Sequence, residues 1–303
     1  MWRRIVVAAL ALVATAAAQS AAGCSQRTAI VSVVARRGTP ILGVTASDLR
    51  VSARRGTTVA AWRPVAGKVR AALLMDTSES MNPSTAQGRE ARAEALALAR
   101  AAPPGRLALF TFDSSVWRRA GFGTPPAALL ARIRSSHYGG ATVLYDALFA
   151  VARVMRGAGA GASVVAVTDG RDDRSRYSAG RAAAEAAAGG IRLFLLEPGG
   201  APSMAEVLGD ESASRLNRRA RERTLTQETG GLLLAPRRHF NHAARTLWAV
   251  IQHAYEARLR LPRPRAQPLH WKLRLTHAFL RAHPHARVFY PNPLPACGKP
   301  AKG

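Results

Sequence analysis

At 303 residues the chain can bury a sizeable core and hold one large domain with appendages or two small ones, which excludes a minimal module lacking a core of its own. Lys and Arg number 44 against 18 Asp and Glu, a formal charge of +26 that by itself points toward polyanionic partners. Only four of those bases are Lys (Lys68, Lys272, Lys299, Lys302) and Ala is equally over-used, the bias a GC-rich genome imposes, so the charge does not select among acidic proteins, anionic headgroups and nucleic acid.

Residues 1–18 read as a signal peptide. Arg3 and Arg4 form a positive start, residues 5–18 an apolar stretch too short to span a bilayer comfortably, and Ala16-Ala17-Ala18 a small-residue cleavage pattern before Gln19. This predicts export by the general secretory route to the periplasm or the exterior. A second processing site, Ala21-Ala22-Gly23-Cys24, is a weak lipobox without the usual Leu, and its use would leave Cys24 as a lipidated N-terminus. Cys24 and Cys297 are the two cysteines of the chain. An oxidising compartment allows them to pair, and lipidation of Cys24 excludes the pair.

Residues 25–65 have strand character: residues 29–35 are β-branched, 36–40 read as a turn, and 44–51 as another strand. Residues 67–256 then alternate strands and helices. A buried strand over 69–74 is followed by helix 88–101, strand 107–112, helix 125–134, helix 142–156, strand 164–168 and helix 178–188. Strand 191–196, a polar helix over 215–228, a brief strand 232–234 and a last helix over 240–257 complete it. Such alternation predicts an α/β fold, a doubly wound, mostly parallel sheet with helices on both faces. The tail contains no Asp or Glu beyond Glu256. It carries Arg258, Arg260, Arg263, Arg265, Lys272, Arg274, Arg281 and Arg287, with strands predicted over 257–261, 271–276 and 286–290. Residues 257–296 are expected to pack with 25–65 as one discontinuous β-module, leaving 297–303 as a tail.

Three segments carry chemistry. Asp76, Ser78 and Ser80 lie at alternate positions where the strand over 69–74 runs out, so on extended backbone their oxygens face one way. Gly139-Gly140 frees the backbone before Thr142 offers a hydroxyl at a helix start, and Asp169-Gly170 ends a β-branched strand abruptly. With no Cys or His among these candidates, the donor set favours magnesium, manganese or calcium over zinc or copper. The competing reading is that Asp76 and Ser80 merely cap the helix after residue 83, which accounts for neither Thr142 nor Asp169.

At Asp76-x-Ser78-x-Ser80, Thr142 and Asp169 the chain resembles a von Willebrand factor type A domain with all three segments of its metal-ion-dependent adhesion site. The resemblance implies that Ser78, Ser80 and Thr142 touch Mg2+ (or Mn2+/Ca2+) directly, while Asp76 and Asp169 act mainly through coordinated water. It also implies an open coordination position for a Glu or Asp carboxylate of a partner protein, hence adhesion rather than catalysis, at the crevice where the strand order reverses. The phrase Gly43-Val44-Thr45-Ala46-Ser47-Asp48-Leu49 is similar to the lead-in of a bacterial secreted subfamily, whose members end in a small β-sheet beside it.

Around these segments Asp113, Asp172 and Asp173 are candidate extra carboxylates, and Arg171 and Arg174 could meet an acidic partner or neutralise the Asp pair. Tyr145 reads as packing. His270, His277, His283 and His285 lack the local thiolate or acidic partners of a tetrahedral zinc site. No Ser-His-Asp order, phosphate loop or paired-carboxylate arrangement is found. The favoured expectation is an exported, metal-dependent protein-binding module and no enzyme. The alternative is an envelope polyanion-binding protein or a hydrolase with a structural metal, using the basic C-terminal segment or Glu79. Acidic envelope polymers are possible partners, no specific nucleic acid is expected, and membrane association follows only if Cys24 is lipidated.

Overall fold

A computed structural model describes residues 25–198 and 212–297 apart from residues 37, 54, 55, 66, 237 and 238, and for residues 212–220 the backbone alone. The predicted signal peptide, Cys24 and the end of the tail lie outside the described residues. Cys297 is disulfide-bonded.

In chain order the strands are β1 (Gln26–Val34), β2 (Leu49–Ser52), β3 (Thr58–Pro64), β4 (Ala71–Asp76), β5 (Leu107–Phe112), β6 (Val116–Ala120), β7 (Ser163–Val167), β8 (Arg192–Leu196), β9 (Leu233–Leu234), β10 (Tyr255–Arg260), β11 (Lys272–Leu275) and β12 (Arg287–Phe289). The helices are α1 (Ala86–Ala101), α2 (Pro126–Arg134), α3 (Leu144–Met155), α4 (Ala179–Ala188), α5 (Ser212–Thr229), α6 (Phe240–Gln252) and α7 (His277–Ala282).

Six strands form one sheet in the order β6-β5-β4-β7-β8-β9, parallel except for β6, which returns antiparallel along β5. Every residue of β4, β5, β7 and β8 is buried, as a parallel sheet covered on both faces requires. Alternate residues of β4 divide between the two faces. Leu73 and Met75 pack with Ala95 and Leu98 of α1, Ile133 of α2 and Trp248 of α6, whereas Ala72 and Leu74 pack with Leu148 of α3 and Ala183 of α4. The order of strands reverses at β4, whose neighbours are β5 and β7, so the crevice between the loops that follow these strands lies above the end of β4.

The flanking segments pair with each other: β12-β1-β10-β3 form a four-stranded antiparallel sheet and β11-β2 a two-stranded one. Val31, Leu259, Trp271, Leu273 and Leu294 share a separate core. Arg192 joins this module to the parallel sheet. Its buried guanidinium donates to Ser32 Oγ of β1 at 2.9 Å, to the Ile251 carbonyl of α6 at 2.8 Å and to the Gly161 carbonyl at 3.1 Å. Burial lowers its pKa to about 9.

Five elements depart from the sequence reading, the first being β3 (Thr58–Pro64), for which no strand was expected. The last helix stops at Gln252 instead of 257, because Tyr255 to Arg260 pair with β1 and β3 on both edges, and β10 thereby runs across the boundary expected at 256. Within the strand expected over 44–51, Ala46–Asp48 form a 3-10 turn, where the Asp48 carboxylate accepts from Thr45 N at 2.8 Å. Strand β6 was not expected, since Arg118 and Arg119 interrupt the apolar alternation on an edge strand with one exposed side. Helix α7 was not expected, although Thr276 caps it by accepting from Phe279 N. Among the described residues no helix is long and apolar enough to cross a membrane.

Candidate metal centre

The chain leaves β4 at Asp76 and is held to β5 by Thr77, whose N–H and hydroxyl both donate to the Phe112 carbonyl, at 2.8 and 3.0 Å. Ser78 is still extended, but Glu79–Met81 form a 3-10 turn. The oxygens of Asp76, Ser78 and Ser80 therefore converge through a turn and not along a continuous zigzag, which corrects the period-two argument while preserving its outcome. Ser78 Oγ donates to Asp76 Oδ1 at 2.6 Å and lies 3.4 Å from Ser80 Oγ, and Ser80 Oγ donates to Asp169 Oδ2 at 3.3 Å.

Asp169 follows β7 on the adjacent strand. Its Oδ1 accepts from Arg171 N at 3.0 Å, and the Arg171 side chain reaches Oδ2 at 3.5 Å from a largely exposed position. The residue before it, Thr168, was not singled out from the sequence. Its hydroxyl donates to Asp76 Oδ2 at 2.7 Å and accepts from Gly170 N at 3.1 Å, closing the site from the β7 side. The available signal was register: β4 and β7 are neighbouring parallel strands with Met75 opposite Val167, so the next residues, Asp76 and Thr168, leave the sheet side by side.

The third segment is drawn in by backbone. Gly139 N donates to the Thr77 carbonyl at 2.9 Å, Glu79 N to the Gly140 carbonyl at 3.3 Å, and Ala141 N to Ser114 Oγ at 2.9 Å. Gly140 adopts φ +78°, and a Cβ there would stand 2.7 Å from Ser114 Oγ, so both conformation and space demand glycine. Buried Thr142 follows two residues later, its N–H on Asp173 Oδ2 at 3.3 Å. Four of the five sequence-derived side chains are thus linked directly by hydrogen bonds, and the Thr142 loop is stitched to the turn that carries Ser78 and Ser80.

The capping alternative does not hold. Helix α1 is capped by Thr85, which accepts from Gly88 N at 3.0 Å, while Asp76 and Ser80 bond elsewhere. The extra carboxylates serve backbone: Asp172 accepts from Tyr145 N and Ser175 Oγ, Asp173 from Thr142 N, and Asp113 from Ser115 N. Tyr145 is buried in the core under α3. Glu79 is exposed. Among the described residues no three His, Cys, Asp or Glu side chains cluster as a metal site.

Asp76 is fully buried, and burial is the main reason its pKa is pushed up to about 6; the neighbouring Asp169 adds to this, while hydrogen bonds from Ser78 and Thr168 oppose it. Two carboxylates beside neutral hydroxyls form an oxygen donor set that suits a small hard cation, whose charge would offset the cost of ionising Asp76 where it is buried. The donor set fits the group that the resemblance implies.

A family model described as the von Willebrand factor type A domain matches residues 71–171. Among curated proteins none matches the chain. Similar solved structures include an aerotolerance-related membrane protein from Bacteroides fragilis carrying multiple mutations to serine, at 18% identity over 61% of this chain and 98% of that one, TM-score 0.48. The conserved hypothetical protein BatB from Bacteroides thetaiotaomicron is similar at 17% identity over 60% of this chain and 98% of that one, TM-score 0.47. A von Willebrand factor type A protein from Catenulispora acidiphila is similar at 10% identity over 79% of this chain and 70% of that one, TM-score 0.46. The family match begins with β4 and ends at Arg171, so the segment that is similar to the von Willebrand factor type A domain contains Asp76, Ser78, Ser80, Thr142 and Asp169.

Proposed function

We propose that the protein is an exported interaction module that binds a partner protein in a metal-dependent manner. Ser78, Ser80 and Thr142 would hold Mg2+, or Mn2+ or Ca2+ in its place, with Asp76 and Asp169 bonding to its coordinated water. The cation would supply an electrophilic point for one carboxylate oxygen of a Glu or Asp on the partner. The protein's own residues position the donors: Thr168 orients Asp76, the Gly139–Gly140 turn sets Thr142, and Asp76 in turn accepts the Ser78 hydroxyl hydrogen.

The observation that carries this reading is the unbroken run of hydrogen bonds Thr168–Asp76–Ser78–Ser80–Asp169, which gathers two loops at the sheet's switch point around oxygen donors only. Two of these donors are carboxylates, yet among the described residues Arg171, mostly solvent-exposed, is the one cation that supplies an ion pair to either. The basic residues Arg171 and Arg174 beside the site favour an acidic partner.

The test is retention of envelope proteins on the immobilised protein in magnesium, in chelator, and with Asp76→Ala. Partners should be held in magnesium and released by chelator, and Asp76→Ala should retain none of them. Equal capture under all three conditions would reject metal-dependent docking, and loss on adding salt without any metal dependence would favour electrostatic binding by the basic C-terminal segment instead.

A further inference from the structure

A second concave site lies away from the metal-centre segments, between α1 and the start of α6. It is an open groove of about 450 Å³, within the range of small-molecule sites. Arg100 of α1 and Arg245 of α6 line it with His239 and His242, all four exposed, while Leu96 and Phe240 supply apolar wall; among the described residues no acidic side chain contributes. Neither Arg has a hydrogen-bond or ion-pair partner among the described residues, in contrast to Arg63, Arg156 and Arg258, each paired with a Glu.

The backbone reinforces this charge. His239 sits at φ +60° and caps α6 without any side-chain hydrogen bond, and the first turn of this 13-residue helix contains no Asp or Glu. The N–H groups of His242 and Ala243 donate to the His239 carbonyl at 2.8 and 3.1 Å, those of Phe240 and Asn241 have no acidic or hydroxyl side chain as acceptor among the described residues, and the same region carries the positive end of the helix dipole. Guanidinium groups contributed by both helices suit the paired oxygens of an oxyanion, and the two imidazoles are further donors in the same lining.

We propose that this cleft binds a small polyvalent oxyanion of the phosphate class, held between Arg100 and Arg245 with His239 and His242 as further donors. A chain of net charge +26 attracts anions everywhere, so local recognition must be separated from bulk charge.

Calorimetric titration of the whole protein with inorganic phosphate and with tripolyphosphate provides the test. Wild type should bind tripolyphosphate at one saturable site, and Arg100→Gln/Arg245→Gln should weaken binding about tenfold or more. A control, Arg50→Gln/Arg274→Gln, removes the same charge from the cross-strand pair on the β2–β11 ribbon and should leave affinity nearly unchanged. Circular dichroism checks folding, and the milder His242→Gln should weaken binding in the same direction. Sedimentation with phosphatidylglycerol vesicles separates the sources: wild-type pelleting lost in the cleft variant assigns the phosphate to a lipid headgroup, and titration without pelleting assigns it to a soluble anion. No saturable binding, or equal weakening by the cleft and control variants, would overturn the proposal.

Discussion

Thr168 and Asp76 stand at the ends of neighbouring parallel strands, and the Thr168 hydroxyl gives Asp76 Oδ2 a 2.7 Å hydrogen bond across the switch point of the sheet. The second carboxylate oxygen is taken by Ser78, through its N–H at 3.0 Å and its hydroxyl at 2.6 Å. Asp76 is thereby fixed by groups that leave Ser80 and Asp169 facing the same space. Replacing Thr168 with Val keeps the shape and removes the donor. Urea denaturation should show Thr168→Val less stable by about 1–3 kcal/mol at neutral pH, with Thr168→Ser closer to wild type.

The buried Asp76 carboxyl also sets a pH dependence. Its pKa is raised from 3.8 to about 6, chiefly by burial, so the unfolded chain ionises first. Below pH 3.8 the group costs nothing. As pH rises from 3.8 to 6 the metal-free protein loses about 3 kcal/mol, and the cost is fully present above pH 6. Asp76→Asn should abolish this part of the slope in urea midpoints measured with chelator across pH 4 to 7. Magnesium should offset it for wild type alone, since a ligand that binds the folded state stabilises that state.

Glu94 of α1 is buried with neither carboxyl oxygen partnered, and burial, with Glu90 second, raises its pKa to about 8. The sign is the same as for Asp76: stability falls as pH rises from 4.5 to 8, and Glu94 continues to contribute to the slope above pH 6, where Asp76 no longer does. Glu94→Met should stabilise the protein on the order of 1–3 kcal/mol at pH 8 and much less at pH 4, read from thermal or urea midpoints.

Gly140 holds the Thr142 loop at φ +78° with Ser114 Oγ against it. Gly140→Ala should cost about 1–3 kcal/mol and weaken metal binding. Ser114→Ala in the same chain removes the collision but not the backbone strain, so only part of the stability should return in denaturation experiments.

The layered α/β architecture was legible because the apolar runs of β4, β5, β7 and β8 are buried on both faces and read as unbroken hydrophobic segments. The same logic failed at β6, where Trp117, Arg118 and Arg119 are exposed on an edge strand, and at β10, where the start of the strand carries the apolar character expected of a helix end. Of the five candidate site residues named from type and spacing, Asp76, Ser78, Ser80 and Asp169 are linked by side-chain hydrogen bonds, and Thr142 is brought near by its backbone. Thr168 was not legible, because its role depends on which strand lies beside β4, and that is a property of strand order. The geometry at Ser80 differed for a local reason: the chain turns at Glu79–Met81 where the alternation argument assumed extended backbone.

The account rests on Asp76, Ser78, Ser80, Thr142 and Asp169 forming one divalent-cation site. Calorimetric titration of the purified protein with magnesium, after chelator treatment and at neutral pH, tests this most directly. Wild type should bind one cation saturably and Ser78→Ala/Asp169→Ala should bind none at the same concentrations, with both folded by circular dichroism. Undiminished binding by the double variant, or no binding by wild type to magnesium, manganese or calcium, would contradict the assignment.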